Sequence, residues 1–304
     1  MSGDMVTSDF PDFSHDISKN LKIFTKQAFM EWPDEWTEIS KPEKVDLQIN
    51  KRIRYEGGGQ AGQIDQGQSA RQKKIYQGHK QTSLQKDYGV ELPVTYQQRR
   101  YVVKNANFMQ QLAHFNARSM KLVKENDAAN TLNNGFSGSY VGGDAVALYS
   151  ASHTFKSDTT TYDNLLSAVD LGRDAMEDAL IKAAETKKES NIPQKIVVKK
   201  IHYSTQNIFT VPELLVTVKD PESANNTHNV IRDFNIQRNL NHFISGSDDY
   251  FLDSQINTRT LQISLPTTFD QYMEKSTKSL IERGWTGQAT IFHDQAGTFG
   301  SQGG

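Results

Sequence analysis

Lys44-Val45-Asp46-Leu47-Gln48-Ile49-Asn50-Lys51-Arg52-Ile53-Arg54-Tyr55 alternates apolar and polar residues with period two. Val45, Leu47, Ile49, Ile53 and Tyr55 share one face, interrupted only by Lys51; Asp46, Gln48, Asn50, Arg52 and Arg54 share the other. That pattern predicts a half-buried β-strand, and a lysine stem can lie along an apolar face with its charge in water. The stretch that follows cannot build a core. From Tyr55 to Leu92 it carries Gly57-Gly58-Gly59, glutamine at Gln60, Gln63, Gln66, Gln68, Gln72, Gln77, Gln81 and Gln85, and few large apolar residues beyond Ile64, Ile75, Tyr76 and Leu84. Gly89-Val90-Glu91-Leu92-Pro93-Val94-Thr95-Tyr96 then alternates again and reads as the returning strand. Two strands around a glycine- and glutamine-rich excursion predict a long, projecting β-hairpin. Its edges need a covering partner or a guard of charge, and Arg71, Lys73, Lys74 and Lys80 are placed to guard them.

Upstream, Ser18 to Glu31 reads as a helix with Leu21, Phe24, Ala28 and Phe29 on one face, Ser18 as N-cap and Pro33 as its stop. Trp32 and Trp36 fall in the turn after it. Two large aromatics there need cover. Either they pack on the chain's own second half, or they form a docking arm for another subunit. Residues 1–16 are polar and are expected to have no fixed structure as a free chain.

Downstream, Asn105 to Asn130 is the strongest helical pattern. Phe108, Met109, Leu112, Phe115, Met120, Leu122 and Val123 follow helical spacing, and Asn133-Asn134-Gly135 stops it. At 1.5 Å per residue it spans roughly 40 Å. A second helix is expected from Leu171 to about Lys188, with Asp170 as N-cap and Leu171, Ala175, Met176, Ala179, Leu180 and Ala183 inward. Ile196-Val197-Val198 with Ile201 and Tyr203 reads as an apolar strand. Asp249 to Leu252 and Leu261 to Leu265 read as short strands, Lys278 to Phe292 as two strands around Gly284 or Gly287, and Gly297 to Gly304 as a flexible tail.

Composition narrows the function. Lys+Arg 34 against Asp+Glu 36 gives a net charge of −2 over 304 residues, without the basic excess of a chain that coats nucleic acid. There is no cysteine, which excludes disulfide scaffolds, cysteine-ligated zinc and thiol catalysis. No run of about 18 apolar residues predicts a membrane helix. Met1-Ser2-Gly3-Asp4 has no signal-peptide character, so a reducing cytoplasm is the expected site of synthesis. Apolar content, counting glycine and leaving out tyrosine, is about 39 %, below the roughly 45–50 % of average globular chains. Arms or loops that find their cover on neighbouring subunits account for such a deficit.

No motif carries chemistry. Gly57-Gly58-Gly59 lacks the Lys and Ser/Thr of a phosphate-binding loop. His15, His79, His114, His153, His202, His228, His242 and His293 are scattered, with no helical metal-ligand spacing. Ser150-Ala151-Ser152-His153 lacks the Gly-x-Ser-x-Gly elbow of a hydrolase, and residues adjacent on a chain rarely form a catalytic dyad. Asp248-Asp249 and Asp253 lack the glycine and distal glutamate of a calcium loop and read as a solvated turn before a strand. Lys187-Lys188 and Lys199-Lys200 read as solvated charge pairs.

The order of parts resembles a known family. N-terminal arm, long hairpin, long helix, mixed α/β region and closing strands is the order of tailed-phage major capsid proteins with the Hong Kong 97 type of fold. Gly143-Asp144-Ala145-Val146-Ala147-Leu148-Tyr149-Ser150-Ala151-Ser152-His153, Tyr162-Asp163-Asn164-Leu165-Leu166, Lys195-Ile196-Val197-Val198, Ala224-Asn225-Asn226-Thr227-His228-Asn229 and Asp249-Tyr250-Phe251-Leu252 resemble successive stretches of Mu-like phage head subunits. The resemblance covers roughly residues 45–300. One departure is Asn207 to Val218, where the family has a helix and this chain has Pro212, which fits a helix only if the helix begins there.

The resemblance implies an α+β phage capsid fold. It divides the chain into an N-terminal arm (1–50), an extended hairpin loop (51–98), a peripheral domain with a spine helix (99–164), an axial domain (165–265), and return strands with a flexible tail (266–304). It implies a structural, non-enzymatic subunit without a cofactor, in a virion capsid assembled in the host cytoplasm. Its partners would be itself, as hexamers and pentamers, portal and scaffold proteins, and DNA packaged on the inner face without sequence specificity; no membrane is implied. The candidate inter-subunit contacts are Trp32, Trp36, Gly57, Gly58, Gly59, Arg71, Lys73, Lys74, Arg99 and Arg100. The alternatives are an encapsulin-like compartment shell, a soluble serine hydrolase built on Ser152 and His153, and an RNA-binding hairpin. The last is poor in base-stacking aromatics, Tyr76 and Tyr88 aside.

Overall fold

The computed structural model describes residues 23–57, 59, 61–70, 72–101, 106–219 and 228–304. The expected Ser18 cap and the polar segment 1–16 lie outside them. Helix α1 occupies 23–31. It is followed by α2 (Trp36–Ile39), β1 (Lys41–Lys44), β2 (Ile49–Gly57), β3 (Ile75–Leu84), β4 (Lys86–Val94), α3 (Tyr96–Tyr101) and the long α4 (Ala106–Asn133). Then come β5 (His153–Thr154), β6 (Thr161–Tyr162), α5 (Arg173–Glu185), β7 (Val198–Tyr203), α6 (Thr210–Val216) and β8 (Gln237–Leu240). The chain closes with β9 (Tyr250–Ser254), β10 (Thr260–Met273), β11 (Leu280–Ile291) and β12 (Thr298–Ser301).

Two four-stranded sheets organise the molecule, in the orders β1-β10-β11-β4 and β12-β9-β7-β8. Helix α4 lies across the first. Its buried face is made by small residues, Ala113, Ala117, Ala128 and Ala129, with Met120 and Leu132, whereas Phe115 is exposed. The close approach explains the choice. A Cβ on Gly284 of β11 would stand 2.7 Å from Met120 Cγ, so helix and strand pack without room for a side chain between them. The second sheet is buried on both faces. Tyr250 and Leu252 of β9 face a core with Met176, Ile201, Val211 and Phe299, and Phe251 between them faces the core of Trp36, Leu132, Tyr149 and Phe292. A strand covered on both faces reads as a continuous apolar run, as Tyr250-Phe251-Leu252 does.

Several expectations are corrected. The strand that returns from the hairpin is β3, paired antiparallel with β2; the run from Gly89 to Tyr96 instead supplies β4, which pairs with β11. β11 is one strand through both Gly284 and Gly287, and β10 is much longer than Leu261–Leu265, because the two form one long antiparallel ladder. The tail is not loose: β12 is fully buried and pairs with β9. Asp170 does not cap α5, whose N-cap is Gly172; its carboxylate instead accepts the Gly304 N–H at 3.2 Å. Asp253 is no part of a solvated turn but is buried. Pro212 does sit in a helix. It falls in the first turn of α6, where a missing N–H costs no intrahelical bond.

Candidate assembly surfaces

The hairpin is a strand pair whose amphipathicity is inverted. The polar face of β2 is the one that meets the body. Arg54 lies 4.5 Å from the centroid of the Phe155 ring and pairs with Asp294 at 3.3 Å. Glu56 is buried and accepts the Ser157 N–H at 2.8 Å, and Arg52 pairs with Glu43. From β3, the Ser83 hydroxyl donates to Gln262 Oε1 at 2.6 Å, and Gln81 Nε2 donates to the Val141 carbonyl at 3.3 Å. The apolar face therefore points outward. Ile49 is 51 %, Tyr55 72 %, Ile75 75 % and Leu84 55 % exposed, and Ile49 stands opposite Leu84 across the ladder. The alternation predicts a strand correctly but assigns the wrong face to the interior. The candidate contacts read from the sequence omit Ile49, Tyr55, Ile75 and Leu84, although the alternation places Ile49 and Tyr55 on one face.

At the end of this hairpin Gly57 has φ +115°, and a Cβ there would meet the Lys74 carbonyl oxygen at 2.5 Å. Only glycine satisfies both constraints. Gly59, Lys73 and Lys74 are exposed beside it, and Gly58 and Arg71 lie outside the described residues. Arg99 and Arg100 lie on α3, apart from the hairpin tip in the chain.

The tryptophans divide. Trp36 is 6 % exposed and packs with Ile39, Ala128, Ala129 and Leu132. Trp32 is 37 % exposed under the Arg118 guanidinium, 5.1 Å from the ring centroid. Both belong to a segment that runs along α4 in the same direction. Phe24 packs at Ala113, Lys121 Nζ donates to Asp34 at 2.8 Å, the Glu35 N–H donates to Glu125 Oε1 at 3.0 Å, and Glu38 pairs with Lys200. Two buried carboxylates grip this segment. Burial, with Glu35 and Asp34 nearby, pushes Glu125 up to about 7, and burial pushes Glu282 up to about 7 despite the Thr25 hydroxyl that donates to it.

The hydrolase candidates are not assembled into a reactive pair. His153 is buried, its Nδ1 engaged by Asp144 at 2.7 Å and its Nε2 by the Leu148 carbonyl at 3.2 Å and Asn164 Oδ1 at 3.1 Å. The Ser152 hydroxyl meets Ser150 instead. His153 stacks on Tyr162, 4.8 Å between ring centroids, and so ties the 144–164 loops together. Among the described residues no cluster of three or more His, Asp or Glu has metal-binding geometry, and no helix is long and apolar enough to cross a membrane.

No family model matches this sequence, and no curated protein does. The fold is nevertheless shared with solved structures. One from Mycobacterium phage Adephagia is similar over 89 % of this chain and 90 % of its own, with TM-score 0.59 at 10 % identity. The capsid of a native GTA particle is similar over 89 % and 90 %, with TM-score 0.56 at 9 % identity. A virus-like particle from Pyrococcus furiosus is similar over 93 % and 98 %, with TM-score 0.52 at 5 % identity. The chain thus has the Hong Kong 97 type of capsid fold.

Proposed function

We propose that this protein is the major capsid subunit of a tailed phage, self-assembling as hexamers and pentamers into an icosahedral head around packaged DNA. The observation that carries the reading is the outward apolar face of the β2–β3 hairpin on a shell fold. Exposed side chains of that size need a cover, and each contributes about 1–2 kcal/mol once buried. In the proposed arrangement the segment 1–50 and the hairpin loop 51–98 lap over neighbours, with Trp32, Gly57, Gly59, Lys73 and Lys74 at the contacts. Residues 99–164 form the peripheral domain, 165–265 meet their copies around the axes, and 266–304 return to the peripheral domain. Portal and a separate scaffold complete the assembly.

The test is size-exclusion chromatography with negative-stain electron microscopy, alone and with a co-expressed scaffold. Hollow shells or regular hexamers and pentamers are expected. Replacing Tyr55, Ile75 and Leu84 by serine should leave a folded monomer that no longer assembles. A wild-type chain that stays monomeric under every condition overturns the reading. The likeness to the Pyrococcus furiosus particle favours a second reading, a compartment shell with protein cargo; the nucleic acid content of purified particles separates the two.

A further inference from the structure

A groove of about 690 Å³ opens beside β8, lined among others by Leu215, Val216, Arg232, Ile236, Gln237 and Arg238. β8 is the edge of its sheet: β7 pairs with one side, and no strand lies on the other among the described residues. Outward backbone groups of Gln237–Leu240 are open to an added strand. The side chains of Arg232 and Arg238 are exposed and make no ion pair or hydrogen bond among the described residues, while the neighbouring Lys200 is held by Glu38. The groove therefore offers two uncommitted cations and a free strand edge in a mainly polar lining. It suits an extended, acidic segment.

The chain contains one. Residues 1–16 carry Asp4, Asp9, Asp12 and Asp16, no Lys or Arg, and the apolar Met5, Val6, Phe10 and Phe13. The segment from Phe24 to Glu38 runs along α4 toward the groove. Position 23 therefore lies toward the end of that helix far from the groove; Ala113 to Leu132 alone spans about 28 Å. With 1–16 in a groove, only residues 17–22 bridge to position 23, at most about 25 Å when extended, which falls short of the chain's own groove and points to that of another copy. We propose that the acidic segment 1–16 of a neighbouring copy occupies this groove, adding to the β8 edge with its aspartates against Arg232 and Arg238. This rests on the shell reading.

The absence of native cysteine makes the test clean. Particles of a Ser8→Cys/Gln237→Cys variant, treated with a short bis-maleimide, should give a ladder of chain dimers and higher multiples. A Ser8→Cys/Ser276→Cys variant, with its second cysteine in the β10–β11 turn, should not. Arg232→Glu with Arg238→Glu should cut the cross-link by about tenfold, and adding Asp9→Arg and Asp12→Arg should restore it. Particles with no cross-link, with equal cross-linking to position 276, or with only an intrachain product overturn the contact. So does a charge reversal that lowers encapsidated nucleic acid while leaving the cross-link unchanged. A chain that never forms particles overturns the shell reading instead, and electron microscopy of the same samples tells the two failures apart.

Discussion

Arg259 is the largest fully buried side chain described in this protein, and it shows how much of the core is polar. Its guanidinium pairs with Asp253 and donates to Tyr149 Oη at 3.2 Å and to the Ile39 carbonyl at 3.3 Å. Asp253 also accepts from His202 Nε2 at 2.8 Å and Asn257 Nδ2 at 3.0 Å. Asn239 Nδ2 donates to His202 Nδ1 at 2.7 Å, which places the imidazole proton on Nε2; burial depresses the pKa of this histidine, outweighing the attraction of Asp253. Removing the cation leaves a buried carboxylate uncompensated. Arg259→Met should cost about 3–5 kcal/mol in urea unfolding, and Asp253→Asn in the same chain should recover part of that loss. Glu125 and Glu282 each add a pH-dependent part to the stability. Folded, they keep protons up to about pH 7, while the unfolded chain gives them up near 4.5. Their contribution to stability is therefore full below 4.5 and falls away as pH rises toward 7. Across that interval the urea midpoint of Glu282→Gln should rise relative to the wild type's, since the opposing titration of buried His202 is common to both chains.

At the scale of elements, α4 and the hairpin show opposite uses of the same pattern logic. The helix is legible from Phe108 to Val123, yet apart from Met120 and Leu132 the apolar residues it buries are alanines, because β11 comes close at Gly284. Gly284→Ala should destabilise by about 1–3 kcal/mol through overpacking against Met120. Met120→Ala should relieve the clash, so the double variant should lose less than the two single losses together, as thermal unfolding would show. The hairpin is equally legible as strands, but Arg54 and Glu56 find partners on the body at Asp294 and Ser157. The polar face is consequently the inner one. Alternation reports that two faces differ; it does not report which face water sees.

The whole molecule is closed by its last residues. Phe299 of β12 lies in the core with Leu252 and Met176, and the Ser301 hydroxyl donates to the Ser167 carbonyl at 2.7 Å. Deleting residues 297–304 should expose that core and lower the thermal midpoint by several degrees or abolish soluble folding, as circular dichroism would report. The short, glycine-rich composition of the tail hid this, since a strand of four residues carries too few side chains to show a period.

The sequence by itself determined the mixed class, the long helix, the strand character of β2, β7 and β9, and the absence of cysteine chemistry. Those properties are local: they follow from period, capping and composition within a dozen residues. Tertiary structure alone decided that β3 rather than Gly89–Tyr96 returns from the hairpin, that Asp253 is buried, and that His153 is locked by Asp144. It also decided that the apolar side of β2–β3 faces outward. Each of these depends on partners distant in the chain, and burial is a property of what packs against a residue, not of the residue itself.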